Sequence, residues 1–169
     1  AMLGDAKQAA GFVVHRFACG GPDNDPANRM TAAELAGVYE RYGEGVLLDP
    51  AASFRFAGYF LGAGTGVLDA VIAEEAAALG RADLAGALAG RIALIYKAGW
   101  WGTDLSIGGY AALPRRGCGS VHMQGLAFAA FIADADGVAA GFVIDQAVGE
   151  MLREEIRAAL TMLGGSTGA

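Results

Sequence analysis

The chain has 169 residues, 54% of them hydrophobic and 18% charged, with a formal net charge of −6. That is long enough for one domain with a real core, and too apolar for a disordered chain. With a sequence pI near 4.8 and no basic cluster it makes a poor nucleic-acid binder, and no apolar run reaches the roughly 18 residues that a membrane-spanning helix needs.

In chain order, the start "AMLGDAK" lacks a basic segment followed by an apolar one, so no signal peptide is expected. Ala1 reads either as a residue ahead of a start Met2 or as part of a longer chain. "GFVVHRFA", residues 11–18, is β-branched and aromatic and predicts a strand. The following "CGGPDNDPANRM" is dense in Gly, Pro, Asn and Asp and predicts a loop. Asp23 and Asp25 within it lack the downstream Glu of a calcium loop, so a plain turn is expected there.

Thr31 and Glu34 form a capping box opening a helix that places Leu35, Val38, Tyr39 and Tyr42 on one face. Gly43 is its expected stop. Asp49-Pro50 starts a second helix, which loosens at "GAGTG", residues 62–66. No lysine follows those glycines, so they do not make a phosphate loop. A third helix is expected over about 67–79, and a short one ends at Gly90.

The texture then changes. Residues 91–98, 105–113 and 126–134 are three strand candidates, joined by turns rich in Gly, Pro and Arg that include Pro114, Arg115 and Arg116. Connections this short suit antiparallel neighbours. Residues 145–163 form an amphipathic helix whose apolar stripe is Val148, Met151, Leu152, Ile156, Ala159, Leu160 and Leu163. The expected architecture is a single α+β domain over 1–169. Strand and loop occupy 10–30, helices 31–90, an antiparallel sheet of three or more strands 91–134, and a terminal helix closes it.

"YKAGWWG" places Lys97, one of two lysines in the chain, at the end of an apolar strand. A cation there is costly unless it is paired or faces a cleft. The plain structural alternative is a lysine that ends an edge strand and protects it from aggregation. Trp100 and Trp101 wall a cleft or pack at a strand end. His15 and His122 stand apart from carboxylates and cysteines at ligand spacing, and Cys19 and Cys118 show no metal spacing, so neither a metal nor a cofactor is expected. The two cysteines read as free or structural thiols, with one disulfide as the alternative.

These words in this order resemble the C-terminal part of serine β-lactamases and the related penicillin-binding D,D-peptidases. "NRMTAAELAGVYERYGEGVLLDPAASFRF" (28–56) resembles a Thr-capped helix followed by a Leu-Leu-Ser-Pro-like start of the next. "YKAGWWG" resembles the Lys-Thr-Gly motif on the strand lining the active site, and "LSIGGYAALPRRG" with "LAFAAFIAD" resembles the two strands after it. The resemblance implies a half-fold of that family, mostly exported proteins, acting by acyl transfer or hydrolysis of amide, ester or β-lactam substrates. It implies that Lys97 reads a substrate carboxylate, that Gly99 lets the strand approach the ligand, and that the Trp100 backbone N–H helps form an oxyanion hole. Ala98 replaces the motif's hydroxyl, and the chain departs from the pattern further. Ser53, Ser106, Ser120 and Ser166 all lack a lysine three residues on. The nucleophile of Ser-x-x-Lys is therefore expected from a missing N-terminal part or a second chain. The reading from another class is a non-catalytic binding or assembly module that forms a homo-oligomer through the face a half-fold leaves open. A carboxylate-bearing small molecule is the expected ligand.

Overall fold

The computed structural model describes residues 30–58, 66–101, 103–133 and 137–165. The expected strand over 11–18, the loop over 19–29, His15, Cys19 and most of "GAGTG" lie outside them. Among the described residues four helices precede a three-stranded antiparallel sheet and a terminal helix, so the α+β expectation holds: α1 (Ala32–Gly43), α2 (Pro50–Gly58), α3 (Gly66–Ala78), α4 (Leu84–Ala89), β1 (Ala93–Trp101), β2 (Asp104–Gly117), β3 (Ser120–Ile132) and α5 (Gly137–Gly165).

Local chemistry sets the helix starts. The Thr31 hydroxyl accepts from the Glu34 N–H at 3.2 Å, and the Glu34 carboxylate accepts from the Thr31 N–H at 2.7 Å, which satisfies two orphan donors of α1. The Asp49 carboxylate accepts from the Ala52 N–H at 2.9 Å at the start of α2.

The sheet is a meander in the order β1-β2-β3. Alternation gives it two faces. On one, Leu105, Ile107, Ala111 and Leu113 of β2 and Phe128 of β3 meet α3, α4 and α5 in the main core. The opposite face of β2 and β3 carries α1. Gly108 makes that approach possible, because a Cβ there would stand 2.7 Å from Leu35 and 2.9 Å from the Tyr39 ring. Helices therefore stand on both faces of the sheet.

Three boundaries also differ from the sequence reading. The stretch expected as a turn around Pro114, Arg115 and Arg116 is strand. β2 and β3 run on as a long hairpin closed by Cys118 and Gly119, with φ of 48° and 80°, the left-handed pair that a two-residue hairpin turn requires. Pro114 pairs with Met123, and β1 stops opposite Ala112. Beyond that point no described strand pairs with β2 on the β1 side. Arg115 binds Gln124 at 2.8 Å and Glu155 of α5 at 2.5 Å, so it ties the hairpin to the helix instead of facing solvent in a turn. Finally, α5 begins at Gly137, not near Asp145. Ile144, 2% exposed, adds a turn to the buried stripe ahead of Val148. The stripe itself is as expected except for Met151, which is half exposed.

Two arginines one turn apart on α5 clamp a carboxylate of α3. Arg157 Nε donates to Glu75 Oε2 at 2.6 Å and Arg153 Nη1 to Glu75 Oε1 at 2.5 Å, while Arg153 also binds Glu74 and Glu150. The Glu75 side chain is only 3% exposed, covered largely by the guanidinium groups at the rim, so solvent still screens the network. Hydrogen bonds from Arg157 and then Arg153 hold the Glu75 carboxyl below its ordinary 4.5. A depressed acid stabilises the fold fully above its unfolded value, and that contribution is lost as pH falls through the native value. Glu75→Gln is expected to lower the thermal midpoint by a few degrees at pH 7, about 2–4 °C per kcal/mol at this size. The gap from wild type should close as pH drops below about 4.5. Thermal melts across pH 3–7 check this, and a gap that stays constant over that range contradicts it.

Candidate functional site

Among the described residues β1 is an edge strand, and its two faces differ. Leu94 and Tyr96 pack against the main core. By alternation Ala93, Ile95, Lys97 and Gly99 face the α1 side. α1 stands over β2 and β3, and no described helix stands over this strip of β1. Ala93 and Ile95 line a groove of about 320 Å³ with Tyr110 of β2, Tyr42 and Gly43 of α1, Gly45, and Ser53 of α2.

The far wall of the groove is held in place. Tyr42 Oη donates to the Ser53 carbonyl at 3.1 Å, and its ring meets Phe56 at 5.0 Å between centroids and 51° between planes. Burial raises the Tyr42 hydroxyl and pushes the deeper Tyr39 hydroxyl up to about 12, so both stay protonated donors near neutral pH.

Lys97 lies opposite Gly108, two residues along from Ile95 and therefore roughly 7 Å from it. Its side chain is exposed, and its ammonium donates to the Ala98 carbonyl. Among the described residues no carboxylate pairs with it. Ala98, opposite Ile107, projects to the other face, so it does not stand beside Lys97 as a ligand-facing residue. Gly99 is exposed and faces the Lys97 side, opposite Ser106. A Cβ at Gly99 would stand 2.9 Å from Ser106 Oγ, so the hydroxyl leans over the bare backbone of Gly99. The Ser106 hydroxyl has no hydrogen-bond partner among the described residues. It is the diagonal cross-strand neighbour of Lys97, roughly 7–8 Å away. Trp100 and Trp101 continue the strand opposite Leu105 and Asp104, and their side chains lie outside the described part.

The sheet thus brings together Lys97, Gly99 and Ser106, with Ile95 and Tyr110 beside them. A search for Ser-x-x-Lys passes over Ser106, because that spacing belongs to a helix. Counting back across the short connection at 102–103 puts Ser106 opposite Gly99. The other described serines are engaged elsewhere: Ser53 lines the groove but its Oγ donates to the Leu48 carbonyl at 3.4 Å, and Ser120 Oγ donates to the Gly117 carbonyl at 3.3 Å. His122 is exposed on the hairpin opposite Arg115, and Cys118 is an exposed free thiol at its tip. Among the described residues no three His, Cys, Asp or Glu side chains are grouped to hold a metal, and no helix is long and apolar enough to cross a membrane.

Chemically, the arrangement offers an exposed cation, a hydroxyl donor, a bare stretch of backbone and an aromatic wall. Comparison of the chain with protein families, curated proteins and solved structures finds no match.

Proposed function

We propose that this chain is a non-catalytic binding module, and that its groove between α1 and β1 holds a small carboxylate-bearing molecule with a flat apolar body. One observation carries the reading. Lys97 and Ser106 share the sheet face on which Ile95 and Tyr110 line the groove. The ammonium neutralises the carboxylate, the hydroxyl donates to it, and the groove covers an aromatic body. Turnover needs a nucleophile held within hydrogen-bond reach of a base, and among the described residues no base is hydrogen-bonded to the Ser106 hydroxyl.

1-Naphthoate is a suitable probe, since its length matches the spacing from Ile95 to Lys97. Titration followed by amide NMR should move the resonances of residues 95–99, 106 and 110. Lys97→Met should weaken naphthoate about tenfold, the effect of roughly 1.4 kcal/mol, while leaving the neutral 1-naphthamide unchanged. Shifts that map elsewhere, or equal affinity in Lys97→Met, sink the reading.

A second reading is favoured by one feature. Lys97-Ala98-Gly99 lies on the outer strand of an antiparallel meander with a terminal helix behind it, as the resemblance to serine β-lactamases and D,D-peptidases implies. On that reading the chain is part of an acyl-transfer or hydrolytic enzyme whose nucleophile comes from a further segment or a second polypeptide. Incubation of the native protein from its source cells, with any further segment or second polypeptide it carries, with benzylpenicillin followed by intact-mass measurement of every polypeptide separates the two. An acyl adduct on the nucleophile-bearing part supports the hydrolase, and unchanged masses throughout support the binding module.

A further inference from the structure

We infer that the outer edge of β3 is a homodimer interface, where two copies of this chain pair antiparallel about a two-fold axis and join their sheets into one of six strands. β3 is the second edge of the sheet, and among the described residues no strand pairs with its outer side. An open edge presents a row of unpaired N–H and C=O groups, and proteins that keep such an edge single defend it with lysine, proline, charge or a bulge. Over thirteen residues, "SVHMQGLAFAAFI", β3 has no Lys, Arg, Asp, Glu or Pro. Its pairing with β2 runs in unbroken register from Ser120 to Ile132. The opposite edge, β1, carries Lys97.

Charge selects a second copy as the occupant. The chain carries a net −6, so self-association is opposed wherever acidic surfaces meet. β3 is an exception, an uncharged strip on which two copies put no like charges opposite each other. Its apolar residues are also self-complementary. The register that pairs the whole strand with its symmetry mate turns about Leu126. It sets Val121, 56% exposed, opposite Phe131 of the second copy, 41% exposed, and Met123, 48% exposed, opposite Ala129. These residues lie on the α1 side of the sheet, opposite Arg116, Ser106, Pro114 and Gly108 respectively. Pairing covers the exposed side chains at both ends of the strand and satisfies the outward backbone groups between them. An isologous contact of this kind closes on itself and does not propagate into fibres. The inference is independent of the ligand reading, because β1 and its groove lie at the other edge.

The test measures the molar mass of the full chain by light scattering and sedimentation, together with hydrogen exchange of the β3 amides. Wild type is expected at twice 17.1 kDa, with the outward β3 amides protected. Met123→Lys combined with Phe131→Lys places charge on exposed side chains, so the circular dichroism spectrum should hold while the mass falls to 17.1 kDa and those amides exchange. A monomeric wild type overturns the inference. If its β3 amides are nevertheless protected, another segment of the same chain fills the edge. A dimer that survives both lysines overturns it as well, because the contact must then lie elsewhere.

Discussion

Ile107→Ala is expected to cost about 2–5 kcal/mol of unfolding free energy, the range for removing a large aliphatic side chain from a core that cannot collapse around the gap. Ile107 is fully buried on β2, the central strand, with neighbours on both sides: Ala98 on β1 and Ala130 on β3. Its side chain enters the cluster formed with Val148, Ile156 and Leu160 of α5 and with Leu68 and Ile72 of α3, all 2% exposed or less. Because elements pack from every direction, little can move inward to fill the space. A domain of this size is stable by about 5–15 kcal/mol, so one substitution removes a large share of the total. Urea unfolding checks this. The midpoint should fall while the m-value holds, as for a loss of packing without a change in the surface exposed. Phe54→Ala is the control. Phe54 is 79% exposed, so its truncation should stay within about 0.5 kcal/mol. If Ile107→Ala costs no more than Phe54→Ala, the placement of β2 at the centre of the core is wrong.

Gly125→Ala is expected to destabilise by about 1–3 kcal/mol or more, although it adds one methyl group at an exposed strand position. The cause is the Tyr110 ring. A Cβ at Gly125 on β3 would fall on the ring and its hydroxyl, and a Cβ at Gly43, at the end of α1, would fall on the same ring from the other side. The ring therefore sits in a slot that two glycines leave open, one from the sheet and one from the helix. Neither has a positive φ, so the strain is one of space alone. That gives the test its form. Tyr110→Ala should cost stability by itself, yet Gly125→Ala should cost little in its presence. A double-mutant cycle then shows a coupling of about 1 kcal/mol or more in the compensating direction. Additive effects contradict the slot. Tyr110 also walls the groove beside Ile95, so Gly125→Ala should weaken naphthoate while leaving Lys97 in place.

Much of this architecture is legible in short stretches of sequence. The capping box at Thr31 and Glu34, the Asp49 cap and the apolar stripe of α5 each depend on residues three or four apart, and, Met151 apart, each is found where the sequence puts it. The order of helices, antiparallel strands and terminal helix follows from the same kind of signal. The failures share a cause. Pro114, Arg115 and Arg116 have the composition of a turn but lie in a strand, because Cys118-Gly119 closes the hairpin further on and β1 stops short at Ala93, opposite Ala112. The early start of α5 rests on Ile144 reaching a core built by β2 and α3.

The site divides along the same line. Lys97 stands out in the sequence because a lone cation closes an apolar run. Ser106 does not, because its relation to Lys97 exists only across paired strands. Glu75, Arg153 and Arg157 likewise look like ordinary helix-surface charges until α3 and α5 are set side by side. Taken alone, the sequence determined which elements form and which residues they turn inward, since caps and periodicity are encoded within a turn or two of chain. Only the tertiary structure decided which distant residues meet, because register and helix placement are chosen by the packing of the whole core, and no short segment carries that information.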